Sequence, residues 1–138
     1  MRSPIGANTT VTYILHMTTA AAWEAGKSAG AYRADSLDTQ GFIHCSTAEQ
    51  VARVANKHYT RRTDLVLLVI DGDQLPARWL FEPPINPATG QPEPGVDELF
   101  PHIYGTINPE AVVEVVAYPP DAQGEFHFPQ AVADRWQV

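Results

Sequence analysis

Gly41-Phe42-Ile43-His44-Cys45-Ser46-Thr47-Ala48-Glu49 runs from an apolar, strand-like segment carrying a histidine straight into a helix start. Ser46 followed three residues later by Glu49 has capping-box spacing, in which the hydroxyl takes a first-turn N–H and the carboxylate reaches back. His44 is therefore expected just ahead of a helix N-terminus. The unsatisfied N–H groups and partial positive charge there favour an anion or a carbonyl oxygen beside the imidazole. The same residues also read as a core strand followed by a well-capped structural helix. In an extended run Cys45 points away from His44, which suits a buried structural thiol better than a Cys-His catalytic pair. Capping by Ser46 competes with any role as a nucleophile.

Outward from this stretch, Val11 to Met17 is rich in β-branched and aromatic residues and reads as the first strand, ending at Thr18-Thr19, with His16 at its C-terminal end. Thr18 or Thr19 can cap a helix over Ala20 to Ser28 that Trp23 anchors and Gly30 stops. Ala31 to Gln40 reads as a surface loop carrying Arg33. Downstream, Val51, Val54 and Ala55 recur at helical spacing and Lys57-His58 complements the helix dipole. Asp64 to Asp71 encloses six apolar residues between acids and reads as a strand buried on both faces. Arg78 to Glu82 reads as a short strand ended by Pro83-Pro84, and Val112 to Tyr118 as the closing strand. Asn108-Pro109 is an N-cap with proline at the first helical position, enough for one turn.

The expected class is α+β, with small mixed or antiparallel sheets and two early helices. Residues 1–11 read as a disordered or tag-like tail and 12–118 as a single globular domain. Residues 119–138 form a tail in which Phe126, Phe128 and Trp136 supply apolar surface for docking on the body or on a partner. Five prolines and two glycines between Pro83 and Gly95 mark a long loop of the kind that closes over a pocket.

The chain has 138 residues and a formal charge of −7, with sixteen acidic against nine basic side chains. Such a balance favours a small-molecule ligand over a phosphate-tracking nucleic-acid surface, while leaving room for a local basic pocket. A single cysteine allows no internal disulfide and no CxxC metal cluster. No segment approaches the roughly 20 apolar residues of a membrane span, so the chain is expected to be soluble and cytoplasmic. GxGxxG and Walker loops are absent. His16, His44 and His102 each sit at the edge of an apolar segment, and none has the HxxxH or HxH spacing of a local metal pair, so no metal ligand is assigned. Glu98-Leu99-Phe100-Pro101-His102-Ile103-Tyr104-Gly105 is the second stretch dense in acid, aromatic and histidine chemistry.

These segments carry a family resemblance. Tyr13 to Thr18, Trp23 with Gly30, Asp35 to Ser46, Leu65 to Leu68 and Glu98 to Gly105 resemble the small bacterial family catalogued as domain of unknown function 952, over about Thr12 to Tyr118. That family is similar in fold to the ADP-ribosyltransferase superfamily, which includes the RNA 2′-phosphotransferases. The resemblance implies that His16-Met17-Thr18 takes the place of the His-Gly-Thr motif that holds the NAD ribose. It also implies that Phe42 to His44 flank nicotinamide and that Glu98 stands for the late catalytic glutamate, with His102 behind it. The expected catalytic set is His16, His44, Glu98 and His102. The expected ligand contacts are Arg33, Phe42, Ser46, Thr47, Phe100 and Tyr104. The expected function is binding of NAD or a related nucleotide as substrate by a transferase-like or phosphotransferase-like enzyme. The alternatives are a non-catalytic small-ligand module and a protein-interaction module presenting Phe100, Tyr104 and the tail aromatics.

Overall fold

The computed structural model describes residues 11–86, 88–136 and 138. Strand β1 (Tyr13–Thr19) leads into helix α1 (Ala20–Ala29), followed by α2 (Asp35–Thr39), β2 (Ile43–His44) and α3 (Ala48–His58). Then come β3 (Leu65–Asp71), β4 (Trp79–Glu82), β5 (Phe100–Ile103), β6 (Val112–Ala117) and α4 (Gln130–Arg135). The strands form two three-stranded antiparallel sheets, ordered β1-β3-β6 and β2-β5-β4.

Strand β3 is central in the first sheet, and all seven of its residues are buried. Alternation along the strands explains how both faces are covered. Ile14, Val66, Leu68 and Ile70 pack with Trp23 of α1, Ile43 of β2 and Ile103 of β5. On the opposite face Leu15, Met17, Leu67 and Val69 pack with Val51 and Ala55 of α3 and with Tyr118, Phe126 and Val132 from the C-terminal segment. The first sheet is thus sandwiched between the second sheet and a helical layer. Residues beyond Tyr118 pack on the body through Phe126 and Val132.

Several local expectations are corrected. The first strand ends at Thr19, as expected, but begins at Tyr13, so His16 lies mid-strand opposite Leu68 and not at its C-terminal end. The stretch 31–40 holds a short helix, α2, in place of a loop, and α4 adds a fourth helix in the tail. The helix after His44 is capped one residue later than the sequence suggested, because Ser46 is still extended. Leu15 and Ser46 exchange both backbone hydrogen bonds, at 2.9 and 2.8 Å. Thr47 is the N-cap, and Gln50 replaces Glu49 as the residue reaching back, its Oε1 accepting from the Thr47 N–H at 3.0 Å. Of the two threonines that could cap α1, Thr19 does so, its Oγ1 accepting from the Ala22 N–H, and the expected stop at Gly30 is present at φ 86°. The tail expectation for residues 1–10 lies outside the described residues.

Gly26 shows how tightly α1 meets the chain that follows it. An added Cβ would lie 2.7 Å from Tyr32 Cα and 2.8 Å from Tyr32 Cβ, inside van der Waals contact with backbone that cannot swing away. In an exposed helix Gly→Ala is favourable by about 1 kcal/mol. Here Gly26→Ala is expected to destabilise by about 1–3 kcal/mol through overpacking, read as a lower urea midpoint at unchanged m.

Candidate functional site

The junction Cys45-Ser46 ties the two sheets together. Ser46 bridges to Leu15 of the first sheet, while the Cys45 N–H donates to the Pro101 carbonyl of β5 in the second at 3.0 Å. This staple sets His16 and His44 side by side: His16 Nδ1 lies 2.6 Å from the His44 carbonyl oxygen. A carbonyl only accepts, so Nδ1 carries the proton and Nε2 is left as an acceptor. Tyr32 Oη lies 2.9 Å from both His16 Nε2 and Thr18 Oγ1, which completes a buried polar chain. Burial holds the His16 imidazole down at about 4, against the hydrogen bond to His44 that favours the charged form. The same burial pushes the Tyr32 phenol up to about 12.

The second sheet supplies the next two imidazoles through its register. His44 pairs directly with His102, and Leu80 with His102 on the other side, so these side chains share one face of the sheet. Phe42 stacks on His102 with ring centroids 4.0 Å apart and meets His44 edge-on at 4.8 Å. Partial burial, aided by the neighbouring His102 and His58, lowers His44 to about 4, although one side of the residue is exposed. Its Nε2 is 3.0 Å from Gln40 Oε1. Burial also lowers His102, and the Glu82 carboxylate at 2.9 Å works against that. Burial thus disfavours the charged form of all three rings.

A cleft of about 1040 Å³ is lined by His16, His44, His58 and His102 together with Arg33, Arg53, Lys57 and Arg62. Pro84, Ile85 and Glu93 of the Pro-rich loop, with Val96 just after it, also line the cleft. That loop is folded back on itself, with Asn86 N–H donating to Gln91 O at 2.8 Å and Glu93 N–H to Pro84 O at 2.9 Å.

Of the expected catalytic residues, His16, His44, Glu98 and His102 all line the cleft; of the expected ligand contacts, Arg33, Ser46 and Phe100 do. Phe42, Thr47 and Tyr104 stand outside the lining: Phe42 and Tyr104 pack behind His102, and Thr47 caps α3. Arg33 is exposed and held by Asp38. Glu98 is engaged as well, accepting from Arg53 and, at 3.0 Å, from Gln50 Nε2. These donors, led by Arg53, keep its carboxyl below the usual range.

Gln50 and Glu82 were missed by sequence reasoning. Gln50 is buried and joins α3 to the segment before β5, donating to Glu98 and, at 2.8 Å, to the Leu99 carbonyl. Its signal was its place three residues after Thr47. Glu82 lies twenty residues from His102 and offered no local signal.

The family model described as "Protein of unknown function (DUF952)" matches residues 17–115. The chain belongs to this family. Among solved structures, this DUF952 chain is similar to protein CC0527 from Caulobacter crescentus. Its X-ray crystal structure has a TM-score of 0.71 and 25% identity, covering 92% of this chain and 100% of the other. The solution NMR structure of CC0527 has a TM-score of 0.63 at 24% identity, covering 89% and 98%. No curated protein matches the chain. In this DUF952 member no helix among the described residues is long and apolar enough to cross a membrane.

Proposed function

We propose that the cleft binds a phosphate-bearing, nucleotide-sized small molecule, with NAD or an ADP-ribose-containing relative as the ligand. The observation that carries this reading is a local basic excess, the lining holding four Lys and Arg against the three acids Asp35, Glu93 and Glu98. In a chain of net charge −7, four of its nine Lys and Arg residues line this one cleft, alongside four of its five histidines. Lys57 is in no ion pair with a described residue, so its ammonium is available to a phosphate. A cleft of about 1040 Å³ is just above the range of ordinary ligand pockets, roughly 300 to 1000 Å³, and has room for a nucleotide. Neutral imidazoles suit the remaining part of such a ligand, since they both donate to and accept from ribose hydroxyls. The reading is that of an ADP-ribosyltransferase-like scaffold with His44 and His102 orienting the sugar, while His16, bonded at both ring nitrogens, supports them from behind.

A non-catalytic binding module is the second reading, and one observation favours it. Cleavage of a glycosidic bond through a cation-like ribose calls for a free carboxylate, whereas Glu98 is already neutralised by Arg53. Nicotinamide release separates the two.

Thermal shift with NAD, ADP-ribose and 2′-phosphorylated nucleotides tests binding itself. A ligand at about 100 times its Kd adds about 2.7 kcal/mol of stability. The expected result is a rise in Tm with at least one of them, reduced by Lys57→Glu and by His44→Ala. No rise with any of the three classes would reject the proposal.

A further inference from the structure

We infer that Glu82 and His102 form a proton-accepting dyad in the wall of the cleft, with Glu82 as the positioning residue and His102 Nε2 as the acceptor for a ligand hydroxyl or a bound water. The inference rests on the cleft being a ligand site.

Of the histidines lining the cleft, His102 alone is backed by a carboxylate among the described residues. Both ring nitrogens of His16 are occupied, one by the His44 carbonyl and one by Tyr32, so that ring serves the fold. His102 Nδ1 lies 2.9 Å from Glu82 Oε1. A carboxylate accepts, so Nδ1 holds the proton and Nε2 carries the lone pair. His102 lines the cleft although only 1% exposed, and with Nδ1 taken by Glu82, which is outside the lining, Nε2 is the ring nitrogen left for a ligand.

The acid is itself held in place. Tyr104 donates to the same Oε1, and the Arg78 guanidinium sits 5.1 Å from the Tyr104 ring centroid. Desolvation works to raise the Glu82 carboxyl, but the bonds from Tyr104 and His102 outweigh it and keep the group ionised. Phe42, stacked on His102, fixes the plane of the ring. Orientation of an imidazole by a carboxylate on its far nitrogen is the arrangement that sets the tautomer of a general base. When a hydroxyl approaches, its proton passes to Nε2 and the O–H bonding pair stays on oxygen. The imidazolium formed is then paired with Glu82 across Nδ1.

Nitrogen-15 imidazole spectra of the intact protein near neutral pH test this, using the native chain, Glu82→Ala and Glu82→Gln. The native His102 is expected to show protonated Nδ1 and unprotonated Nε2. Glu82→Ala releases the tautomer. Glu82→Gln keeps a carbonyl acceptor and the packing, so it retains the tautomer while moving the titration of His102 to lower pH. A native proton on Nε2, or a His102 titration indifferent to Glu82→Gln, overturns the dyad. Saturation with NAD or ADP-ribose is expected to move the Nε2 resonance. A rise in Tm with either probe but a still Nε2 overturns the dyad and leaves the cleft reading standing. No rise in Tm with any nucleotide removes the cleft reading, and the dyad's role falls with it.

Discussion

Lowering the pH from about 6.5 to 4 is expected to cost the protein about 3 kcal/mol through His16 alone. The imidazole titrates near its ordinary 6.5 when unfolded and at about 4 when folded. Between those values the unfolded chain binds the extra proton, so stability falls as pH falls, and the loss is complete below about 4. His44 is lowered to about 4 in the same direction, but its exposed side lets solvent screen the charge and its share is correspondingly smaller. Carboxylates held below their usual range, Glu82, Glu98 and Glu114 among them, add losses only at lower pH. Urea unfolding across pH 7.5 to 4 checks this. The expected curve declines from about pH 6.5, and His16→Gln flattens its upper part. A stability that stays level down to pH 4.5 would show that His16 is not buried neutral.

Leu68→Ala is expected to cost about 2–5 kcal/mol. Leu68 is fully buried at the centre of the central strand, packed in the cluster that joins β3 to Ile43 and Ile103 of the second sheet. Truncation removes the transfer energy of the lost atoms. It also leaves a cavity that neighbours held in two sheets cannot readily close. The same change at exposed Val115 of β6 should stay within about 1 kcal/mol. Comparing the two variants by chemical denaturation checks the account: equal losses would mean that β3 is not the shared core of the two sheets.

Much of this fold was legible because its signals are local. An apolar run bounded by Asp64 and Asp71 identifies β3, and Thr19 with Gly30 brackets α1, through patterns read over a few residues. The start of α3 was misplaced by one residue because a non-local bond decides it. Ser46 is held extended by Leu15, thirty-one positions earlier, so Thr47 inherits the cap and Gln50 the reach-back role. Strand β2 has only two residues and exists through pairing with β5. Helix α4 has six residues and docks through Val132, too short for any periodicity to announce.

The site divides along the same line. The sequence can nominate His16, His44 and His102 by residue type and setting, but the partner of each is chosen by sheet register. Glu82 reaches His102 because β4 and β5 pair Glu82 with Phe100 and Leu80 with His102, which puts acid and imidazole on one face two residues apart. Glu98, by contrast, lies close in sequence to His102 but bonds backwards to Gln50 and Arg53 of α3.

Titration of isotopically labelled protein with ADP-ribose, followed through the imidazole and backbone resonances, shows whether the cleft holds a nucleotide. Saturable shifts are expected, concentrated on His44, His102 and the Arg53–Lys57 turn of α3 and weakened by added salt because phosphate contacts are screened. Shifts confined to the opposite side of the first sheet, or no shifts at millimolar ADP-ribose, would contradict nucleotide binding in the cleft.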